Sequence, residues 1–565
     1  MAVTLNELEQ HLWGAANILR GNIDSGEYKS YIFGLLFFKR LSDVWVEEYE
    51  QKLSEYGDEE LATDADEHRF DLPEGHRWAD VRKYTTNIGE HLNAAFQAVE
   101  DANMKLRGIF QSVDFNNKER FSDAILERLL QHFEKHDLRN SNVEADVLGN
   151  AYEYLIKQFA DDGGKKGGDY LTPPSITKLL IGMLEPYKGR VYDPCCGSGS
   201  MFVQSEKFVV EQGGSADDLR FFGQELNNAA WQLAKMNMAV RGIDADIKWN
   251  NEGSFHKDEL ADLKADFILA NPPFNNSDWG GDRLPEDVRW KYGTPPASNA
   301  NYAWLQHIAH HLAPNGTAGV VLANGSMFSN SSGERDIRQS LIEHDLVDCM
   351  VALPGALFYS TTMPACLWFL AANKNTEGFR DRKGEVLFID ARKLGSQVDR
   401  TRRELSDEDI AEISDTYHAW RSEEHAIERR GKYENVAGFC YSAGLEDISA
   451  NDYDLNINRY MYLSEGNNFL TDEVAEERGL KAYLLGEHFD ILECKLDNDE
   501  FKFPFDKSFG DFSNDYCLLN LYDDEPRAFD SYDSLQSTRY IAFHVRDTTF
   551  QAEYLTEFIN SDIGG

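Results

Sequence analysis

An apolar run, Ala265-Asp266-Phe267-Ile268-Leu269-Ala270, leads straight into Asn271-Pro272-Pro273-Phe274. The run has the make-up of a strand, and two prolines in series cannot continue a sheet. They stiffen the turn and leave carbonyls without a local N–H partner. The Asn271 side-chain oxygen and the Pro272 carbonyl can then accept the two hydrogens of an exocyclic amine. That arrangement turns the nitrogen lone pair toward a methyl donor. Phe274 offers a flat face on which an extruded base can stack. The plainer alternative is a strand-ending turn with a core phenylalanine. Two further motifs weigh against it.

The first is Val191-Tyr192-Asp193-Pro194-Cys195-Cys196-Gly197-Ser198-Gly199-Ser200-Met201. A strand ends near Tyr192, a turn of small residues follows, and a helix begins near Met201. Glycines let the backbone approach a ligand closely, and the helix start offers free N–H donors. The third glycine of a dinucleotide fingerprint is missing. The second is Phe222-Gly223-Gln224-Glu225-Leu226-Asn227. An acid at the tip of the next strand can hold both ribose hydroxyls of a bound nucleoside. Alone, Glu225 would be one more exposed acid in an acidic chain.

These motifs need a sheet whose strand ends lie side by side. Short apolar runs at 190–192, 219–222, 267–269, 320–322, 348–353, 365–369 and 386–389 alternate with helical patterns at 201–212, 229–241, 302–312 and 333–343. That alternation predicts a doubly wound, mostly parallel α/β domain. Residues 1–160 read as all-α, with apolar residues at helical spacing and a buried helix through 31–45; 55–67 reads as a loop. Residues 161–168 are a glycine- and lysine-rich joint. Residues 400–430 read as charged and helical, and 465–565 as mixed and acidic. The expected division is a helical domain at 1–160, a catalytic domain at 166–430 and a partner-contacting region at 431–565.

The order Gly168-Asp169-Tyr170-Leu171-Thr172-Pro173-Pro174, Asp193-Pro194 with Gly197-Ser198-Gly199, Gln224-Glu225, then Asn271-Pro272-Pro273-Phe274 resembles N6-adenine DNA methyltransferases. It is most similar to the modification (M) subunits of type I restriction–modification systems. Ala300-Asn301-Tyr302-Ala303-Trp304, Val351-Ala352-Leu353-Pro354-Gly355-Ala356-Leu357-Phe358 and Asp452-Tyr453-Asp454-Leu455-Asn456-Ile457 match as well. The resemblance spans about residues 5–465. It implies a Rossmann-like fold using S-adenosyl-L-methionine, with Asn271, Pro272, Pro273 and Phe274 catalytic. It implies that Asp169, Tyr170, Leu171, Thr172, Pro173 and Pro174 close over the cofactor, that Gly197, Ser198, Gly199 and Ser200 wrap its methionine end beside Asp193, and that Glu225 holds its ribose. It implies double-stranded DNA, a specificity (S) subunit and a restriction (R) subunit as partners, with two M to one S. The family often sets an acid beside the cofactor adenine; here the segment is Asn250-Asn251-Glu252-Gly253-Ser254-Phe255, and no one residue stands out. Residues 465–565 run past the usual core, and 540–561 faintly resembles part of a target-recognition domain. N4-cytosine, RNA and protein-glutamine methyltransferases share related motifs, and a catalytically silent scaffold is the alternative of another class.

The net charge of −42 sits awkwardly with DNA binding. A separate subunit holding the DNA, local clustering of basic residues, or an acidic surface adapted to salt would each account for it. No apolar run reaches membrane-spanning length, and the first residues lack a signal-peptide pattern. Seven cysteines without metal-ligand spacing fit a reduced, cytoplasmic protein. His307 and His311 are four apart on a helix, yet no zincin pattern accompanies them. They read as a surface or core-edge cluster, and no metal is expected. No Gly-Lys-Ser/Thr follows the 163–168 stretch, which argues against a P-loop.

Overall fold

Thr4 caps the first helix. Its hydroxyl accepts from the Glu7 amide while the Glu7 carboxylate accepts from the Thr4 amide, a reciprocal capping box. Helix α1 (Leu5–Leu19) is followed by α2 (Tyr28–Tyr56), which is buried along almost all of its first half. A helix apolar on all sides must be surrounded. Helices α3 (Ile88–Ala102) and α4 (Asp123–Phe133), with the aromatic residues between them, do this. The stretch 55–67, expected as a loop, is largely helical. α2 runs to Tyr56 and ends on Gly57 in the left-handed region, then Asp58 caps Glu59–Ala62 and Asp64 caps a 3₁₀ turn at Ala65–Glu67. Its helix starts were written in those two aspartates.

The protein is described by a computed structural model covering residues 3–23, 27–144, 147–151, 154, 172–358, 363–398 and 402–461, and the backbone of five strands between 489 and 545. Residues 1–461 form one compact unit and residues 462–565 another.

The rest of the first unit is built on nine strands: β1 (Gly189–Asp193), β2 (Leu219–Glu225), β3 (Ala245–Trp249), β4 (Ala265–Ala270), β5 (Leu312–Ala323), β6 (Val347–Ala352), β7 (Ala365–Ala371), β8 (Glu385–Asp390) and, after a two-residue ribbon of β9 (Ser396–Gln397) with β10 (Arg403–Glu404), β11 (Cys440–Gly444). Their order is β11-β8-β6-β7-β5-β4-β1-β2-β3. β3, β2, β1, β4 and β5 are mutually parallel, and β6 pairs parallel with β8. β7 runs antiparallel between β5 and β6, and β11 lies antiparallel on the edge. This is the expected doubly wound sheet. The chain winds outward from β1 to β3 and returns through β4 on the other side, so the crevice between β1 and β4 is the topological switch point. Helices α5 (Pro174–Leu184), α6 (Ser200–Glu211), α7 (Asn228–Arg241), α8 (Asn301–His311), α9 (Glu334–Glu343) and α10 (Asp407–Trp420) accompany the strands. The boundary expected at 430/431 falls just before β11. The chain after β11 also belongs to this unit: Leu455, Ile457, Tyr460 and Met461 are buried, and the Tyr460 ring stacks on Phe388.

The helical first third shares its core with the sheet domain. Met236 and Val240 of α7 pack among the first-third residues. Gln232 of α7 accepts from the Ser112 hydroxyl and donates to the Gly108 carbonyl.

In the second unit β12 (Phe489–Asp497), β13 (Glu500–Lys502), β14 (Tyr516–Asn520), β15 (Ala528–Phe529) and β16 (Arg539–Val545) form an antiparallel sheet ordered β13-β12-β16-β14-β15. Leu518 and Leu519 fall on β14, and Tyr540–Val545 on β16. Of the segment 540–561, only Tyr540–Val545 lies within the described residues.

Candidate active site

Three adjacent parallel strands end on the residues singled out by type and spacing. β4 ends at Ala270 before Asn271, β1 ends on Asp193 and β2 ends on Glu225. Because these strands are parallel neighbours, their carboxyl ends share one rim. The rim lies at the switch point, where open α/β sheets bind ligands.

Between Asp193 and α6 the chain makes a tight loop. Gly197 and Gly199 both take left-handed conformations, φ +53° and +76°. The φ of Gly199 favours glycine, and a Cβ there would stand 3.0 Å from the Met238 methyl, which would have to give way slightly. The loop is pinned from three sides. The Cys196 amide donates to the Gln224 carbonyl (3.0 Å). The Gly197 amide donates to Glu225 Oε2 (2.9 Å). Asn237 of α7, itself buried, donates to the Ser198 carbonyl (3.0 Å). The Ser198 hydroxyl is buried and has no partner. An unsatisfied buried hydroxyl in a loop at a helix start is a place prepared for a polar ligand.

Two buried carboxylates border the loop. Asp193 accepts from the Cys195 amide (2.9 Å), and burial pushes its pKa up to about 7, with the Glu225 charge adding to the rise. Glu225 accepts from the amides of Gly197 and Asn227 (2.7 Å for the latter), yet burial still raises its pKa. A carboxylate offers about four lone-pair sites, more than these amides occupy, so Glu225 can still accept from a ribose hydroxyl. Loop, orphan hydroxyl and paired-acceptor acid together fit the methionine and ribose ends of S-adenosylmethionine.

Asn271 lies beside this loop. Its Nδ2 donates to the Thr172 hydroxyl (3.0 Å), while its Oδ1 is buried without a hydrogen-bond partner. Phe274 is half-buried and meets the edge of Phe358, ring centroids 5.5 Å apart and planes at 80°. The turn beyond it is locked to α8. The Asn275 amide donates to Asn301 Oδ1 (3.1 Å), and Asn301 Nδ2 returns a bond to Asn275 Oδ1 (2.9 Å). Asn275 adopts φ +51°, which asparagine tolerates better than most residues.

Pro173 and Pro174 form the N-cap and first residue of α5, and Thr172 precedes them. Asp169, Tyr170 and Leu171 lie outside the described residues. Sequence reasoning did not find the contact of Thr172 with Asn271, the Phe358 edge or the Asn275–Asn301 lock. Of the residues involved, all but Asn275 stood in stretches quoted from the sequence, but nothing there paired them with one another.

His307 and His311 are not at the surface; both are fully buried in a polar network behind the rim. One His311 ring nitrogen lies 2.9 Å from the Leu263 carbonyl and the other 2.9 Å from Asp258. His307 accepts from Arg289 (3.0 Å) and meets the Tyr192 hydroxyl (3.1 Å). Gln224 donates to both Tyr192 and Asp258. Burial would raise the Asp258 pKa, but the His311 hydrogen bond and the neighbouring imidazoles hold it below the usual carboxylate range. The network fixes Gln224, whose carbonyl holds Cys196, and so supports the loop from behind. A second cluster joins Glu185, His418, Glu423 and His425. There both His418 nitrogens are taken, by Glu423 and the Gly182 carbonyl (2.7 Å each), and Arg421 pairs with Glu423.

The chain is similar to known proteins along most of its length. Residues 143–468 match the family described as N-6 DNA Methylase, and residues 8–133 match the HsdM N-terminal domain. The chain is 45% identical to the type I restriction enzyme HindI methylase subunit of Haemophilus influenzae, over 70% of this chain and 86% of that one. It is 33% identical to the MjaIX methylase subunit of Methanocaldococcus jannaschii, over 80% and 84%. The crystal structure of the type I restriction-modification system methyltransferase subunit from Streptococcus thermophilus superposes with a TM-score of 0.69 at 27% identity, over 81% of this chain and all of that one.

Proposed function

The chain belongs to the N-6 DNA methylase family of type I methylase subunits, and from that premise we propose how its residues divide the work of adenine methylation. It is a DNA N6-adenine methyltransferase that uses S-adenosylmethionine. The matching family and the two methylase subunits compared above do not favour an N4-cytosine, RNA or protein acceptor, or a silent scaffold. S-adenosylmethionine supplies an electrophilic sulfonium methyl; the rest is positioning.

Gly197, Ser198, Gly199 and Ser200 hold the methionine end, with the start of α6 offering N–H groups to its carboxylate. Asp193 borders that end, and Glu225 accepts from the ribose hydroxyls. The target adenine is turned out of the duplex and stacks against Phe274, whose ring Phe358 steadies. Asn271 Oδ1 and the Pro272 carbonyl accept the two N6 hydrogens, Pro273 stiffens the turn, and the lone pair is left pointing at the methyl. The proton released on transfer passes to solvent through these acceptors; no covalent enzyme intermediate is required.

The observation that carries this reading is the Asn271 carbonyl: buried, unpartnered and at the end of the strand beside the cofactor rim. A buried amide oxygen without a donor costs about 1–3 kcal/mol, a cost that the arriving amine removes. Asn271→Ala is expected to lower methylation at least 100-fold and to leave the calorimetric affinity for S-adenosylmethionine within about threefold. Equal loss of both would make Asn271 a structural residue. Long-read modification mapping of DNA from cells with the wild-type chain, the variant or neither reports the methylated base and its sequence context.

As a type I modification subunit the chain acts on DNA alongside specificity and restriction subunits. We place two copies of it with one specificity subunit, and its work in the cytoplasm. No described helix is long and apolar enough to cross a membrane. Of the region 431–565 expected to contact partners, the part up to Met461 belongs to the catalytic unit, and 462–565 is assigned to partner contact.

A further inference from the structure

We propose that Thr172 is a positioning residue for methyl transfer: its hydroxyl holds the Asn271 amide in the plane that presents Oδ1 to the target amine. This rests on the reading of Asn271 as the amine's acceptor. A carboxamide has nearly the same shape either way round, but turning it by 180° exchanges an acceptor for two donors. A donor facing the adenine amine loses the hydrogen bond and repels the N6 hydrogens. The χ2 torsion of asparagine is broad, and Asn271 sits just past the end of β4, with a proline after it. Something outside its own backbone has to set the amide plane.

The structure shows one such contact. Asn271 Nδ2 donates to Thr172 Oγ1 at 3.0 Å, and Oδ1 is the atom left buried and unpartnered. The hydroxyl confines χ2 to two settings half a turn apart, and an arriving amine favours the one with oxygen toward it. Thr172 is well placed for this. It is 8% exposed, its β-branched side chain is stiff at χ1, and the following proline confines its backbone to extended conformations. Pro173 and Pro174 then start α5, whose Ile176, Leu179 and Leu180 are buried in the sheet's core. The hydroxyl is thus carried by a rigid element, as a supporting group must be. Thr172 belongs to the segment expected to close over the cofactor; the geometry gives it a bond to the Asn271 amide as well.

The test uses the assembled methyltransferase on duplex DNA. Thr172→Val keeps the shape and removes the acceptor. It is expected to lower kcat about 10- to 100-fold, with the KM and calorimetric Kd for S-adenosylmethionine within about twofold of wild type. Thr172→Ser is expected to restore kcat to within about threefold. In an Asn271→Ala background, Thr172→Val should cost nothing further, because the two groups act as one. The proposal is overturned if Thr172→Val keeps its kcat, if cofactor affinity falls as far as kcat does, if serine fails to rescue, or if the two substitutions multiply. If Asn271→Ala alone methylates at the wild-type rate, the underlying assignment of Asn271 fails instead, whatever Thr172 does.

Discussion

Asp193 ends β1 with a single amide donor, from Cys195, and little water around it. Burial lifts its pKa from the usual value near 4 to about 7. The folded state therefore holds this proton more tightly than the unfolded chain does. The resulting stabilisation is full below about pH 4 and is lost as pH rises through about 7. A cationic ligand beside Asp193 favours its ionised form. S-adenosylmethionine carries positive charge, so its affinity should increase between about pH 6 and pH 8, with net proton release on binding. Calorimetry in buffers of different ionisation enthalpy measures both. Asp193→Asn should flatten the profile; an unchanged profile would make Asp193 a turn-forming acid only. At this scale Asp193, Glu225 and Asn271 were legible in the sequence because each ends an apolar run that must be a strand. The Thr172–Asn271 bond was not. The two residues are 99 positions apart, and neither residue's type announces the other.

Strands and helices of the sheet domain were legible where they are buried, as continuous apolar runs. The two strands of the nine-stranded sheet that escaped notice, β3 and β11, lie at its edges. β3 reads Ala-Asp-Ile-Lys-Trp, only its isoleucine buried, and β11 reads Cys-Tyr-Ser-Ala-Gly, with a serine and a glycine. Edge strands carry polar residues that blur the pattern. A buried charge cluster holds the far side of the sheet. Asp348 of β6 is wholly buried, 3.3 Å from Arg382, and accepts from the Tyr417 hydroxyl of α10 at 2.7 Å. Burial would raise its pKa, but Arg382 and Lys374 pull it below the ordinary value. Removing the carboxylate leaves Arg382 as an uncompensated buried charge. Asp348→Ala should therefore cost about 3–5 kcal/mol, read as a lower denaturation midpoint in urea. Asp348→Asn, which keeps the volume and an acceptor, should cost less. A loss within 0.5 kcal/mol, as for about any surface change, would show that water or rearrangement reaches the cluster.

On the scale of the whole molecule, the first third and the catalytic domain are joined by a common core through α7, a union that the separate helical and α/β patterns in the sequence did not announce. Charge is the other property of this scale. The chain carries 98 acidic and 56 basic residues, a net −42, while its substrate is a polyanion. Non-specific DNA binding is dominated by released counterions and usually has a Kd of about 10⁻⁴–10⁻⁶ M at physiological salt. An acidic chain should fall at or beyond the weak end of that range. The expectation is that basic surface on another subunit holds the DNA and brings the turned-out adenine to the site proposed at Asn271. Fluorescence anisotropy with a duplex carrying the methylated sequence tests this. The isolated chain should bind no more tightly than about 10⁻⁴ M at about 0.15 M salt, and addition of the specificity subunit should bring binding into the range of about 10⁻⁸ M. Submicromolar binding by the isolated chain would instead mean that its basic residues gather on one face. An unfolding temperature that climbs steadily from about 0.1 M to 2 M potassium chloride would assign part of the acidic surface to a saline interior, since Debye screening is already within about 3 Å at 1 M and further stabilisation must come from ion and water binding at the surface.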